Sequence, residues 1–347
     1  MGTDRSIHRL QARHGDAGMS APGRPDAGVF VEAPARLHFG VLDLHGGLGR
    51  RFGGMGAAIP TPSLLLEANR GSEVEAHGPD AERAAGFARR FLAQHGHRGG
   101  VHLRLHRAIP SHVGLGSGTQ LGLAVARAVA ELYELPTITR ELARTVDRGQ
   151  RSAIGTWAFE SGGFILEGGR RPGTGDLAPL LARYEIPPTW RYVVVIPAAA
   201  PGLSGEAEAD AFRHLPQPEL RDVERVAHLV LMRLLPGLVE RDLEAFGGAL
   251  SEIQQITGGW FAAAQGGVFV PGPTAALIQR LAEAGAAGVG QSSWGPTVYA
   301  IVDGAERGRE LARLASGWLG GRGSVFEGAF LNRGARVWRG STNVLAD

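Results

Sequence analysis

The 347-residue sequence has no cysteine, and a reading of every position finds no lysine; all 36 cationic residues are arginine. Without cysteine there is no disulfide, thiolate zinc site, iron–sulfur cluster or sulfur nucleophile. Without lysine there is no Walker-type phosphate lysine and no Schiff base, which excludes an ordinary pyridoxal-phosphate enzyme. Long uncharged apolar runs are also missing, so no membrane span is expected. The cations stand against 34 carboxylates, a net of +2, and no basic block concentrates them. A nucleic-acid partner is therefore not expected. Residues 1–28 carry Arg5, Arg9, Arg13 and Arg24 and have no apolar h-region. They read as a disordered leader, not a secretory signal, and the protein is expected in the cytoplasm.

What is abundant is glycine, at 53 residues, gathered in four clusters near positions 40–56, 114–122, 155–169 and 285–295. Glycine lets backbone amides approach a ligand closely. Short apolar runs at Val29 to Glu32, Leu37 to Leu44, Ser63 to Ala68 and Val101 to His106 read as strands. Helical spacing marks Asp80 to His95, Thr119 to Leu132 and Thr139 to Asp147, the last with Thr139 as its N-cap. The second half restarts with a buried strand at Tyr192 to Ile196. Helices are expected at Arg221 to Leu235, Leu238 to Thr257, Thr274 to Ala284 and Ala305 to Leu319, with strands at Thr297 to Val302 and Val325 to Phe330. Strands and helices mix without regular alternation. Two α+β domains are expected, 29–185 and 190–335, meeting near Pro187-Pro188 and followed by a tail, 336–347.

The sharpest motif is Pro110-Ser111-His112-Val113-Gly114-Leu115-Gly116-Ser117-Gly118-Thr119-Gln120, between an alternating strand and a long apolar helix. A helix start exposes unpaired amides and the positive end of the dipole. Glycine turns can aim those amides at one anion, and Ser117 and Thr119 add hydroxyls. The motif lacks the lysine of a Walker loop and the well-placed acidic residue of a dinucleotide fold.

The loop resembles the phosphate-binding turn of the GHMP superfamily. Ala33-Pro34-Ala35-Arg36-Leu37-His38-Phe39-Gly40 resembles that family's opening motif, and Gly288 to Val298 its third glycine motif. The resemblance implies a ribosomal-protein-like β-α N-terminal domain with a left-handed βαβ unit, a ferredoxin-like C-terminal domain, and a ligand between them. Most members are ATP-dependent small-molecule kinases. Many kinases carry an aspartate base in a segment matching Gly155 to Gly163, where Glu160 is the one carboxylate here. The segments Arg148-Gly149-Gln150-Arg151-Ser152-Ala153-Ile154-Gly155 and Phe159 to Ile165 resemble a different branch, the β-ribofuranosylaminobenzene 5′-phosphate synthases. So do Leu42-Asp43-Leu44, Gly49-Arg50 and Gly290-Gln291-Ser292-Ser293-Trp294-Gly295-Pro296-Thr297. That branch acts early in tetrahydromethanopterin biosynthesis. It joins 4-aminobenzoate to phosphoribosyl diphosphate, releasing diphosphate and CO2. The resemblance also implies Mg2+ with the diphosphate, and a homodimer. A kinase, or a non-catalytic nucleotide or RNA binder on the same fold, stays open.

If the resemblance holds, Gly114, Gly116, Ser117, Gly118 and Thr119 bind the diphosphate, and arginine forks take the 5′-phosphate and carboxylate. Arg36, Asp43, Arg151 and Glu160 are the catalytic candidates. His38, Arg50, Arg148, Ser152, Trp157, Ser292, Ser293 and Trp294 are candidates for substrate binding. Each has an ordinary alternative. Arg148 and Arg151 could complement a helix dipole, Asp43 is either a Mg2+ ligand or a turn residue, and Arg36 and His38 share a strand face. Trp157 and Trp294 are each expected to meet the aromatic substrate.

Overall fold

A computed structural model describes residues 27–199, 202 and 205–340. The expected leader lies outside these residues except for its last two positions, and Gly28 already begins a strand. The α+β expectation holds, as two lobes each built on a sheet.

Strand β1 (Gly28–Asp43) is one continuous element where two were expected. Pro34 does not end it, because Pro34 sits where the register against β2 (Phe52–Gly71) slips. A second slip falls between His38 and Gly40. β2 bonds β4 (Gly100–Arg107) through its C-terminal half and β5 (Phe164–Glu167) through its N-terminal half. β3 (Val74–His77) runs parallel to β4, and α1 (Ala81–Gln94) makes the crossover between them. β6 (Leu180–Tyr184) pairs β5. α2 (Ser117–Leu132) packs on β1, β2 and α1, with Leu121, Leu123, Val125 and Val129 buried. α3 (Thr139–Thr145) begins one residue beyond an extended Ile138, so Thr139 is the first helical residue and not the cap. α4 (Ile154–Ser161) forms inside the glycine-rich segment that gave no helical signal.

The second lobe is a four-stranded antiparallel sheet in the order β10-β7-β9-β8: β7 (Trp190–Pro197), β8 (Gly288–Gln291), β9 (Val298–Asp303) and β10 (Gly323–Ala329). α9 (Pro273–Glu283) and α10 (Ala305–Leu319) bury Leu277, Leu281, Leu311 and Ala315 against it. Between β7 and β8 in the chain lie α5 (Gly205–His214), α6 (Leu220–Leu229), α7 (Leu235–Glu240) and α8 (Leu243–Gln265), of which α8 touches both sheets. A single π turn, Val230–Leu234, joins α6 to α7 just before Pro236, which cannot donate an intrahelical bond. Arg241 in the left-handed region then breaks the chain. α8 starts later than expected, where the Asp242 carboxylate accepts the Ala245 N–H at 2.9 Å.

Residues 336–340, expected in a tail, form β11 (Arg336–Gly340) on the outer edge of β1. The pairing is driven by Trp338, whose ring stacks on Phe30 at 5.4 Å. Residues 341–347 lie outside the described residues.

Candidate active site

The glycine loop leads directly into α2. Gly114 has φ +95 and Gly116 φ +80, a region that other residues rarely adopt. Gly116 is the N-cap, no side chain bonds the cap position, and Thr119 and Gln120 N–H both reach the Gly116 carbonyl. With those two amides engaged, the Ser117 and Gly118 N–H groups are the first-turn donors left at the loop's mouth, with the helix dipole behind them.

The loop is clamped from both lobes. The Arg36 amide donates to Leu115 O at 3.1 Å, and Arg36 Nη1 donates to Gly114 O at 2.5 Å. Ser292 Oγ donates to the same carbonyl at 2.7 Å and accepts the His38 N–H at 3.0 Å. A Cβ on Gly295 would fall 2.0 Å from the Val113 carbonyl, so glycine there permits this contact between the two glycine motifs. Arg83 of α1 also reaches the loop, donating to Ser111 Oγ at 2.7 Å and to Asp80 Oδ1 at 3.0 Å. Its guanidinium and that of Arg148 flank Gly118.

Beyond the loop opens a cleft of about 420 Å³ between the lobes. One end is cationic: Arg36, Arg148, Arg151 and Thr119 line it. The other is aromatic: Phe52, Phe212, Phe261, Phe269 and Trp294. Phe212 meets Phe261 at 5.8 Å, Trp294 at 5.4 Å and Phe52 at 5.6 Å, each close to edge-on. Arg151 lies over Phe212 at 5.5 Å, which joins the two ends.

His38 and Ser152 line the middle of this cleft. The bulge between His38 and Gly40 turns the imidazole toward Ser152, with Nε2 3.3 Å from Ser152 Oγ. Burial, with the Arg36 charge added, pushes His38 down to about 3, so the ring is neutral at physiological pH. Behind Ser152 lies Glu167, fully buried on β5 and accepting the Ala153 N–H at 3.0 Å. Burial raises its carboxyl to about 7 against the opposing pull of the Ala153 amide, Ser152, the Gly169 amide and Arg170.

Of the residues expected from sequence, Arg36, His38, Thr119, Arg148, Arg151, Ser152, Ser293 and Trp294 converge on the cleft. Gly114, Gly116, Ser117 and Gly118 build its loop, and Ser292 buttresses that loop from full burial. The remaining four stand elsewhere. Asp43 Oδ1 accepts the Gly46 N–H at 2.8 Å, closing a turn, and does not line the cleft. Arg50 Nη1 donates to Gly169 O at 3.1 Å. Trp157 is corrected from substrate contact to core: it is buried beneath α4 with Ile154 and Ile165, its Nε1 bonded to Ala178 O at 3.0 Å. Glu160 is exposed in the last turn of α4, outside the cleft. Both were expected in the site from family resemblance, and α4 turns their side chains away from the cleft.

The sequence reading missed Asp147, Phe212, Phe261 and a chain of glutamines. Gln254 Nε2 donates to Phe39 O at 2.7 Å and Gln254 Oε1 accepts the Gln291 N–H at 2.8 Å, tying α8 to both sheets. Gln291 Nε2 continues to Gln265 Oε1 at 3.2 Å. No local motif marks these positions; they become neighbours through the fold. Among the described residues no group of three or more acidic or histidine side chains could hold a metal. Among the described residues Asp147 is the one carboxylate on the cleft wall. The described residues therefore do not fit a Mg2+ held by the protein alone, and an ion bound to diphosphate oxygens would arrive with the substrate.

Comparison with known proteins agrees with this arrangement. Residues 82–162 match the N-terminal domain of the GHMP kinases and residues 234–318 their C-terminal domain. A β-ribofuranosylphenol 5′-phosphate synthase of Methanothermobacter thermautotrophicus is 37% identical over 300 residues, covering 79% of this chain and 89% of the relative. The synthase of the same description from Methanocaldococcus jannaschii is 32% identical over 302 residues, 79% of this chain and 90% of the relative. The solved homoserine kinase of Cytophaga hutchinsonii superposes with a TM-score of 0.67 at 16% identity, over 92% of this chain and all (100%) of that one. A mevalonate kinase of Methanococcus jannaschii gives 0.60 at 14% identity, over 87% and 98%. Those two likenesses concern the fold alone. Also among the described residues, no helix is long and apolar enough to cross a membrane. With the loop, the two-lobed fold and relatives above 30% identity over most of its length, the chain belongs to the GHMP superfamily, as a homologue of the β-ribofuranosylphenol 5′-phosphate synthases.

Proposed function

We propose that this chain transfers the phosphoribosyl group of phosphoribosyl diphosphate to the ring of a para-substituted benzoate, with loss of CO2 and diphosphate. The observation that carries the reading is the two-ended cleft, with helix-start amides and arginines at one end and an edge-to-face aromatic cluster at the other. An anionic sugar phosphate suits the first end and a flat ring the second.

The chemistry balances without a cofactor. The anomeric C–O bond breaks and its electron pair leaves on diphosphate, stabilised by the loop amides. The ring carbon bearing the carboxylate, made electron-rich by the para substituent, supplies the pair for the new C–C bond. The bond to the carboxylate then breaks, its pair restores the aromatic ring, and CO2 departs. No net proton moves. Arg36, Arg148 and Arg151 hold the anionic groups, and the cleft walls exclude water from the cationic intermediate. Mg2+ enters as part of the diphosphate substrate.

Within this reading 4-aminobenzoate is the acceptor that the Arg148–Gly155 and Gly290–Thr297 motifs favour. The names of the relatives favour a second acceptor whose product is a phenol, 4-hydroxybenzoate. Either para group donates electrons to the reacting carbon. The fitting biological setting is a cytoplasmic homodimer in tetrahydromethanopterin biosynthesis.

The test incubates purified protein with phosphoribosyl diphosphate, Mg2+ and each acid in turn, following CO2 release and the riboside formed. Product from 4-aminobenzoate, in preference to 4-hydroxybenzoate, is the expected result. Product from the phenol alone would move the assignment to the second acceptor. ATP-dependent phosphorylation of small alcohols with no CO2 from either acid would replace the transferase by a kinase.

A further inference from the structure

The reaction uses the two ends of the cleft, but one buried ionisable group stands behind its middle and has no part in the mechanism above. Glu167 has no exposure to solvent, and its Oε1 accepts the Ala153 N–H at 3.0 Å. Its Oε2 makes no fully formed hydrogen bond, although the Ser152 hydroxyl and the Gly169 amide both pull on the carboxylate. A carboxylate oxygen without a full hydrogen bond is costly to bury, and packing alone would be met by a leucine or a glutamine. The next residue before Ala153 is Ser152, on the cleft wall, whose hydroxyl also takes the Ile154 N–H at 3.3 Å. From β1, His38 Nε2 lies 3.3 Å from the same hydroxyl, while His38 Nδ1 accepts the Gly40 N–H at 3.4 Å. That bond places the imidazole proton on Nε2, which then donates to Ser152. With both acceptor sites of Ser152 engaged, its own proton is left to be donated.

The order of residues along β1 locates this cluster. Arg36 stands beside the phosphate loop, Val41 pairs with Gly54 two positions from Phe52 of the aromatic end, and His38 lies between them along β1. The middle of the cleft is where the anomeric carbon and the aromatic ring must meet if the proposed function holds, and positive charge develops on both as they react.

Resting on that reading, we propose that Glu167 is a positioning residue whose buried charge, acting through Ser152 and His38, makes the middle of the cleft the negative site that receives the glycosyl and ring cations. In this low-dielectric setting a fixed charge acts over more than one bond length, and it costs no rearrangement when the cation forms. The group's raised affinity for a proton, with half-ionisation at about 7, means that the active, ionised form is gained as the pH rises through neutrality. Other charges face it. Arg170, from the segment after β5, acts on the carboxylate itself, while Arg36 on β1 acts on His38. Arg50 bonds the Gly169 carbonyl nearby. Arg183 on β6 turns instead to the carbonyls of Ser161 and Gly162.

The test compares the intact wild-type chain with Glu167→Gln, Glu167→Asp and Ser152→Ala. The Gln substitution keeps shape and removes charge. The expected result is a fall in kcat of about 10- to 100-fold with the phosphoribosyl diphosphate KM changed less than about threefold. The acid limb of the kcat profile, centred near neutrality in the wild type, is expected to vanish in Glu167→Gln and to persist in Glu167→Asp. Ser152→Ala should make a further Glu167→Gln change nearly silent, because the pair acts as one unit.

A second readout needs no turnover. The His38 imidazole nitrogen resonances should shift as Glu167 titrates in the free protein, and the shift should be absent in Glu167→Gln. A wild-type chain that makes no riboside, yet shows this coupling, defeats the proposed reaction and leaves the Glu167–Ser152–His38 linkage standing. A productive wild type whose Glu167→Gln variant folds, retains kcat and keeps its acid limb overturns the role given to Glu167. Should Glu167→Gln fail to fold, Ser152→Ala decides on the same two measurements.

Discussion

Gly116 has φ +80, and a Cβ built there would come within 3.1 Å of Arg36 Cγ. A valine would strain the backbone and push Arg36 off the Gly114 carbonyl, turning the α2 amides away from the leaving group. Gly116→Val is expected to lose about 100-fold or more in kcat while staying folded, as read by turnover and circular dichroism. Near wild-type turnover would make the loop a structural turn only. Arg151 has a different character, because its guanidinium lies over Phe212 as well as at the anionic end of the cleft. Arg151→Ala is expected to weaken phosphoribosyl diphosphate about tenfold or more and the aromatic acid less. Titration calorimetry against each substrate checks the order. Two aromatic substitutions separate the cleft from the core. Phe261→Ala opens the ring cluster and should raise the KM of the aromatic acid. Trp157→Ala should cost about 3–5 kcal/mol of stability, measured by denaturant unfolding, with no selective change in that KM.

At the scale of elements, β11 is held by a ring stack, five paired positions from Gly28↔Gly340 to Glu32↔Arg336, the Arg336–Glu32 ion pair and the Arg339 bond to Glu131 O. Removing the chain from Arg336 onward should lower the melting temperature while leaving the KM for both substrates unchanged, because no β11 residue reaches the cleft. How much could be read beforehand follows from how locally each element is specified. α1 and α10 declared themselves by spacing, and α10 forms over the expected residues. The phosphate loop declared itself because its glycines, hydroxyls and following helix are contiguous. α4 gave no such signal: it is short, begins in a glycine-rich stretch and is held by the packing of Ile154, Trp157 and Phe159. Trp157 and Glu160 were expected in the site from family resemblance and the apolar character of the segment, and the helix carries both side chains away from it. Of the aromatic end Trp294 alone was expected, because Phe52, Phe212 and Phe261 come from three further stretches of chain that no motif joins to it. Glu167 escaped because nothing in a strand reading Phe-Ile-Leu-Glu distinguishes a buried acid from the strand's exposed end.

For the whole molecule, two buried groups pull stability in opposite directions with pH. Glu167 binds its proton more tightly folded than unfolded, so its contribution is full below its ordinary value of 4.5 and is lost as pH rises to about 7. His38 has the opposite sense, full above its ordinary 6.5 and lost as pH falls to about 3. Each slope is about 1.4 kcal/mol per pH unit where the group titrates. Between 4.5 and 6.5 both act at once, so their effects nearly cancel and these two groups leave the unfolding free energy flat. Glu167→Gln should expose the His38 slope, with stability rising as pH increases across that window. His38→Asn should expose the opposite slope. Urea unfolding at a series of pH values reads both, and parallel curves for all three proteins would mean that neither group is buried in the form described.

The return of β11 to the edge of β1 also bears on how the protein comes into being. The N-terminal sheet borrows its outer strand from beyond the last strand of the second lobe. During synthesis that strand leaves the ribosome only after the second lobe has been made. Until then Phe30 lacks its stacking partner and β1 offers an open edge to any passing strand. The first lobe is thus a protein fragment that matures last although it is translated first, and a version ending at the Pro187-Pro188 boundary would be sticky, not autonomous.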